Sequence, residues 1–306
     1  MDFRELTYIT AIADTGSLTA AAKKLYISQP ALSQILSKIE QNAGVRLFDR
    51  SRYPIMPTYA GEIYLQTARK ILALKDDLRH QLFDISNGES GEITLGIPTE
   101  RAGYMLPRVL KRFQEKYPKV RVRMIEDKGV KLLTALEKGE ADLLILPWQA
   151  QDLRGAFSGE ILYYERLFLV ISPGMMESSM YLPGRTDAAN LDVMGRLPVI
   201  RQKKGQASRK HMDQVLKHHG LEPKTAFETS SSISAVQMAA AGYGYTIVPQ
   251  RAIDVVKGTF DFLALDYEAS PEFWDVTAVY RKDGYLGHLE KEVIAIIKEE
   301  FSASAT

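Results

Sequence analysis

The sequence has no cysteine. That excludes disulfides, thiolate metal sites and cysteine nucleophiles, and it is compatible with a reducing cytoplasm, the compartment expected for this chain. An excess of either charge is also missing. Thirty-nine Lys and Arg residues face 38 Asp and Glu residues, for a formal net charge of +1. Bulk charge is therefore no argument for nucleic acid, and any basic surface has to be local. No stretch is long and apolar enough to span a bilayer, and the leading MDFRELTYIT carries acids in place of an apolar signal core, so no membrane partner is expected. Motifs for chemistry are absent too. Gly242-Tyr243-Gly244-Tyr245 precedes a strand pattern, not a helix, and fails as a dinucleotide fingerprint; there is no Walker loop and no serine elbow. Of the five histidines, His80 with Asp84 and His288 with Glu292 stand at i, i+4, each without a third ligand nearby. We expect no metal, no cofactor and no catalytic residue.

What is present is ordinary in bulk and specific in places. The chain has 306 residues, 45% hydrophobic and 25% charged. At ~150 residues per domain this predicts about two soluble domains.

The stretch SLTAAAKKLYISQPALSQILSKIE, from Ser17 to Glu40, reads as two helices around a tight corner. The first, about Leu18–Leu25, carries Ala20, Ala21 and Ala22, which let another helix cross closely. Tyr26-Ile27-Ser28 makes the corner. Ser28 suits an N-cap, and Pro30 falls in the first turn, where a missing N–H costs nothing. Leu32, Leu36 and Ile39 then share one face, while Gln29, Ser33, Gln34, Ser37 and Lys38 share the other. An amide- and hydroxyl-rich front on an apolar back suits the DNA major groove, where Gln pairs with adenine and Ser serves either base type. The alternative is a solvated helix face. A preceding helix over residues 3–15 ends at Thr15-Gly16. VRLFDRSRYPIMPT follows as a short hairpin-like wing, with Leu47 and Phe48 tucked under and Arg46, Arg50 and Arg52 left for phosphates or a narrow minor groove. From Ser17 to Thr58, six basic residues face two acids, a local +4.

Tyr59 to Asn87 predicts one continuous helix of about 43 Å at ~1.5 Å per residue. Ile71, Leu74, Leu78, Leu82 and Ile85 form a stripe close to a coiled-coil seam. A second copy of the chain covers it in the favoured reading; the body of the same chain covers it in the other. Asn87 to Gly91 reads as a hinge-like linker. Beyond it, strands and helices alternate, which predicts open α/β sheets with helices on both faces. About 215 residues is large for one sheet, so two lobes with a cleft are expected, with ligands beyond the carboxyl ends of strands.

The order of AIADTG, SLTAAAKKLYISQPALSQILSKIE, GVRLFDR and a Pro-Thr-x-Ala-Gly step into a long helix resembles the LysR-type transcriptional regulators. LPRVLKRFQEKYPKVRV, LEKGEADLLI and AAGYGYTIVP resemble that family's effector domain, so the likeness covers essentially the whole chain. It implies an α+β multidomain fold: a winged helix-turn-helix over 1–58, a linker and dimerisation helix over 59–87, and a two-lobed α/β domain over 91–306 like a type 2 periplasmic binding protein. Lobe I takes about 91–165 and 268–306, and lobe II about 166–267. It further implies double-stranded DNA and a small-molecule effector as partners, and a homotetramer built as a dimer of dimers. By position, Ser28, Gln29, Pro30, Ala31, Ser33 and Gln34 face the groove, and Ser17, Lys38, Arg50 and Arg52 touch the backbone. The sequence departs from the pattern at Gln34, often arginine in the family, which weakens any guanine reading there, and at Ile35, usually polar.

Three strand-end loops are expected at the cleft: Pro98-Thr99-Glu100, Arg201-Gln202-Lys203-Lys204 and Ser230-Ser231-Ser232. Helix N-termini favour anions. Thr99, Ser230 and Ser231 supply hydroxyls there, Arg201, Gln202 and Lys203 further polar groups, and Trp148 a wall; Glu100 repels an anion or pairs with an amine. Ordinary capping is the competing role for each Ser and Thr. The sequence thus reads as a ligand-responsive DNA-binding regulator and not an enzyme. The rival is a cytoplasmic solute-binding protein or enzyme on a two-lobed fold, its N-terminal helices serving only dimerisation.

Overall fold

The computed structural model describes residues 2–51, 53–85, 91–148, 155–268 and 272–302, leaving aside the side chains of residues 80, 83, 85 and 302. Two units separate: Met1–Asn87 with Glu137–Glu140, and Gly88–Leu136 with Ala141–Thr306. The expected linker residues 87–90 and the His80 side chain lie outside the described residues.

In the first unit, α1 (Phe3–Thr15) opens on a reciprocal cap: the Glu5 amide donates to Asp2 Oδ1 at 2.8 Å and the Asp2 amide to Glu5 Oε2 at 3.2 Å. It closes at Gly16, whose φ of 60° suits a residue without Cβ. Helix α2 (Leu18–Lys24) is capped by Ser17, and its buried Ala21 and Ala22 let α3 (Gln29–Ala43) approach. Ser28 caps α3, and Leu32, Leu36 and Ile39 are buried beneath it, each contributing roughly 1.5–3 kcal/mol. Ile35 is half-buried against this same core, which includes Leu65 of the long helix α4 (Tyr59–Ile85).

The wing is a two-residue ladder of β1 (Phe48–Asp49) and β2 (Met56–Pro57). Leu47 and Phe48 are buried, as their apolarity predicts. The wing is pinned at three points. Glu40 Oε1 accepts from the Leu47 and Phe48 amides, Ile55 donates its amide to the Gly16 carbonyl, and the Thr58 hydroxyl donates to the Arg46 carbonyl. Thr58 Oγ1 also accepts from the Gly61 amide and so caps α4. A Cβ on Gly61 would lie 2.0 Å from the Leu47 carbonyl oxygen, so wing and helix touch where only glycine fits. Along α4, Leu65 and Ala68 are buried, but Leu74, Leu78 and Leu82 remain 64%, 55% and 57% exposed.

The second unit holds a seven-stranded sheet. Strand β3 (Gly91–Ile97) pairs in parallel with β4 (Val120–Glu126) and β5 (Leu143–Pro147). Strand β11 (Glu272–Arg281) runs antiparallel between β5 and β6 (Phe157–Ile171), and β6 also carries β9 (Thr246–Pro249) and β10 (Leu263–Leu265). Helices α5 (Thr99–Lys116), α6 (Gly129–Glu137) and α11 (His288–Ser302) accompany this sheet. A smaller parallel pair, β7 (Val199–Gln202) and β8 (Thr225–Thr229), is bridged to Tyr245 beside β9. Period-two alternation sorts the core here. Leu167, Leu169, Val199 and Ile247 pack with Met212 and Leu216 of α8 (Ala207–His218). Val170, Ile200 and Val248 pack with α9 (Ser232–Ala240) and α10 (Gln250–Val256). A short α7 (Leu191–Met194) completes the set.

Strand β6 begins at Phe157, where Ser158, Gly159 and Glu160 conceal the alternation. It therefore runs straight through the boundary anticipated between 165 and 166. Helix α5 begins at Thr99 and carries Pro107 in its third turn.

Candidate nucleic-acid interface and effector cleft

Gln29, Pro30, Ser33, Gln34, Ser37, Lys38 and Gln41 line a shallow open groove along the solvent side of α3. Helical spacing places them there because Leu32, Leu36 and Ile39 claim the other side. Gln34 and Lys38 are exposed, Gln29, Ala31 and Ser33 half-buried, and Pro30 exposed at the start of the helix. Two hydroxyls are already used: the Ala31 amide donates to Ser28 Oγ at 3.3 Å, and Ser37 donates to the Ser33 carbonyl at 3.0 Å. Ser17 is a half-buried cap accepting from the Ala20 amide. Arg50 is not free: its guanidinium bonds Glu40 Oε2 at 2.6 Å, beside the wing amides that the same carboxylate holds. Arg52 lies outside the described residues.

In the second unit the three strand-end loops do converge, largely on one another. Glu100, in the first turn of α5, accepts from the Ile233 amide at 3.3 Å, in the first turn of α9. Ser231 caps α9, accepting from Ser234 at 3.1 Å; Ser230 is exposed and its carbonyl accepts from Gln206 Nε2 at 2.7 Å. Thr99 is exposed. Arg201 lies 3.5 Å from Asp213, with its Nε buried and unpartnered. Gln202 is 0% exposed; its Nε2 donates to Thr246 Oγ1 at 3.4 Å and its Oε1 has no partner. Lys203 and Lys204 are exposed. Trp148 is half-buried with its indole N–H unpartnered, and its ring edge lies 3.9 Å from where a Cβ on Gly129 would sit.

A feature invisible in the sequence lies beside this convergence. Arg101, 4% exposed, donates to the Tyr163 hydroxyl at 2.6 Å and to Glu165 Oε2 at 2.7 Å, and Trp274 Nε1 donates to the same oxygen at 2.9 Å. Burial opposes the charge on Arg101, but Glu165, with Tyr104 and Tyr163, outweighs it and holds the guanidinium pKa above its ordinary value. Nothing local marks Arg101, because its partner is 64 positions away. Among the described residues no group of three His, Cys, Asp or Glu side chains is placed to hold a metal, and no helix is long and apolar enough to cross a membrane.

Residues 3–62 match the model described as bacterial regulatory helix-turn-helix protein, lysR family, and residues 86–302 match the LysR substrate binding domain. The chain belongs to the LysR family of transcriptional regulators. It is 30% identical over 264 residues to the HTH-type transcriptional regulator YcgK of Bacillus subtilis, covering 81% of this chain and 80% of that one. It is equally 30% identical over 252 residues to the HTH-type transcriptional regulator TfdS of Cupriavidus pinatubonensis, covering 81% and 82%. A full-length OxyR structure from Pseudomonas aeruginosa superposes with a TM-score of 0.70 at 22% identity, covering 98% of this chain and 94% of that one. CbnR, a LysR family transcriptional regulator, gives 0.62 at 20% identity, covering 98% and 99%. At these identities the two structures speak to the fold. LysR regulators bind DNA and small-molecule effectors and are oligomeric, and this LysR regulator has the corresponding DNA-binding and substrate-binding domains.

Proposed function

We propose that this LysR regulator reads its operator through the open face of α3 and is switched by a small organic anion held at the strand ends of its C-terminal domain. The open groove from Gln29 to Gln41 carries the reading, because polar groups left uncommitted on a short capped helix suit base edges. Ser28, Gln29, Pro30, Ala31, Ser33 and Gln34 face the groove. Ser17, Lys38, Arg50 and Arg52 lie along the backbone, and Arg50 must leave Glu40 to contribute. The domains are 1–58, 59–87 and 91–306, the last in two lobes of about 91–165 with 268–306 and about 166–267. The leucines at 74, 78 and 82 are covered by the same helix of a second copy, and two such dimers make a tetramer. The protein works in the cytoplasm and performs no catalysis. The effector contacts Thr99, Trp148, Arg201, Gln202, Ser230 and Ser231, with Gln202 reached only as the site opens, and Glu100 at the same place gives up the α9 amide to admit it.

Mobility shifts across salt test the reading. A discrete site bound with steeply salt-dependent affinity is the expected result; a folded preparation that ignores every fragment at low salt ends it. Leu78→Glu should lower the solution mass, and an unchanged mass removes the seam. Retained carboxylate binding in a Thr99→Ala, Ser231→Ala double variant removes those two residues from the site.

A further inference from the structure

Three tyrosines are far more exposed than any other among the described residues: Tyr26 at 95%, Tyr53 at 87% and Tyr59 at 84%, all in the N-terminal unit. In the second unit the most exposed are Tyr243 at 54% and Tyr164 at 53%. A ring left in water gains nothing from burial. Two of the three flank α3 along the chain: Tyr26 in the corner before it, and Tyr53 in the hairpin between β1 and β2.

Tyr26 also breaks a backbone preference. Its φ is 56°, and it is the one non-glycine residue with positive φ among those described. Helix-turn-helix corners often use glycine at such a place, because the left-handed region presses Cβ of any L residue toward the following carbonyl. A bulky side chain in that conformation, with its ring in solvent, is favoured by neither propensity nor packing. Residues that break local rules without structural compensation concentrate at functional sites.

We infer that the Tyr26 hydroxyl, with that of Tyr53, donates hydrogen bonds to DNA phosphates on either side of the groove that α3 enters. This rests on the reading of α3 as the recognition helix. Phosphate contacts set register without reading sequence, and tyrosine is among the side chains that make them. A neutral phenol displaces no condensed cation, so these contacts add affinity without steepening the salt dependence. Lys23 and Lys24, exposed beside Tyr26, add the charged kind. Tyr59 begins α4 after the hairpin has closed and lies outside the inference.

The test uses the full chain, a labelled duplex that the wild-type protein enriches from a random library, and anisotropy titrations over a range of salt. Tyr26→Phe and Tyr53→Phe should each weaken binding about 10-fold or more, the loss for a hydrogen bond to a charged acceptor. The salt slope should not change, and the loss should be the same on a scrambled duplex. Lys23→Gln should instead flatten the slope by about 0.9. Tyr59→Phe should bind as wild type does. Tyr26→Gly should melt higher while binding DNA less tightly, a pairing of signs that a structural role does not produce. Wild-type affinity in both Phe variants overturns the inference. So does a loss seen in Tyr26→Ala but not Tyr26→Phe, since the ring alone would then make the contact, and so does a loss that tracks a changed solution mass. A wild-type chain that enriches no sequence fails the recognition-helix reading itself, and this inference with it.

Discussion

The front of α3 and the strand-end loops of the C-terminal domain are built from the same polar residue types and treat them differently. On α3, the Gln34 and Lys38 side chains stand in solvent along an open groove. At the strand ends, Glu100 bonds the Ile233 amide, Ser231 caps α9, Arg201 faces Asp213 and Gln202 is sealed against Thr246. A stiff duplex is met chiefly by groups already presented, Arg50 being the exception that must first leave Glu40. A small molecule can be enclosed by groups that first let go of each other, and exchanging one internal hydrogen bond for another leaves a small net difference for the ligand to tip.

The contrast can be broken most forcefully at its committed end. Arg101→Ala strands Glu165 in the core and should cost about 3–5 kcal/mol of C-terminal domain stability by denaturant unfolding. A loss below ~1 kcal/mol would mean that water reaches the pair. On the presented side, Gln34→Ala should leave folding unchanged yet reduce discrimination at one base pair by about 1–3 kcal/mol, read from selected-sequence profiles; identical profiles would remove Gln34 from base readout. Glu100→Gln weakens the carboxylate that competes for the α9 amide, so calorimetry with acetate should show several-fold tighter binding, by the effective-concentration argument for a tethered rival. Weaker acetate binding would reverse the assignment.

The smallest effect concerns pH. His219 is held between Asp192 and Glu268, each at 2.9 Å. Burial opposes its charge, but Glu268 and Asp192 prevail and raise its pKa. Its contribution to stability is therefore complete below the ordinary histidine pKa of ~6.5 and disappears as pH rises through the raised folded value. Burial lowers the pKa of His211 against the pull of Glu268, so its contribution has the opposite sense, present above ~6.5 and lost as pH falls through its folded value. Melting curves of His219→Gln should lose the decline on the alkaline side, and an unchanged profile would assign that decline elsewhere.

Much of this was readable in the residues because the signals are local. Ser28 and Gly16 punctuate the first helices by rules that span four residues, and they act as caps in the structure. The buried set of Leu32, Leu36 and Ile39 follows from one helical period. The rest depends on partners distant in sequence. Nothing near Arg50 in its hairpin announces Glu40, nothing near Arg101 announces Glu165, and Gln202 looks like a loop residue until Thr246 is brought beside it. The first half of β6 is hidden in the sequence because Gly159 and two polar neighbours interrupt an alternation that β11 nevertheless completes.

The contact at Gly61 has a mechanical consequence. With the Leu47 carbonyl seated against that backbone and the Thr58 hydroxyl tying both ends together, hairpin and long helix cannot slide past each other. A rotation of the first turn of α4 therefore carries the hairpin with it.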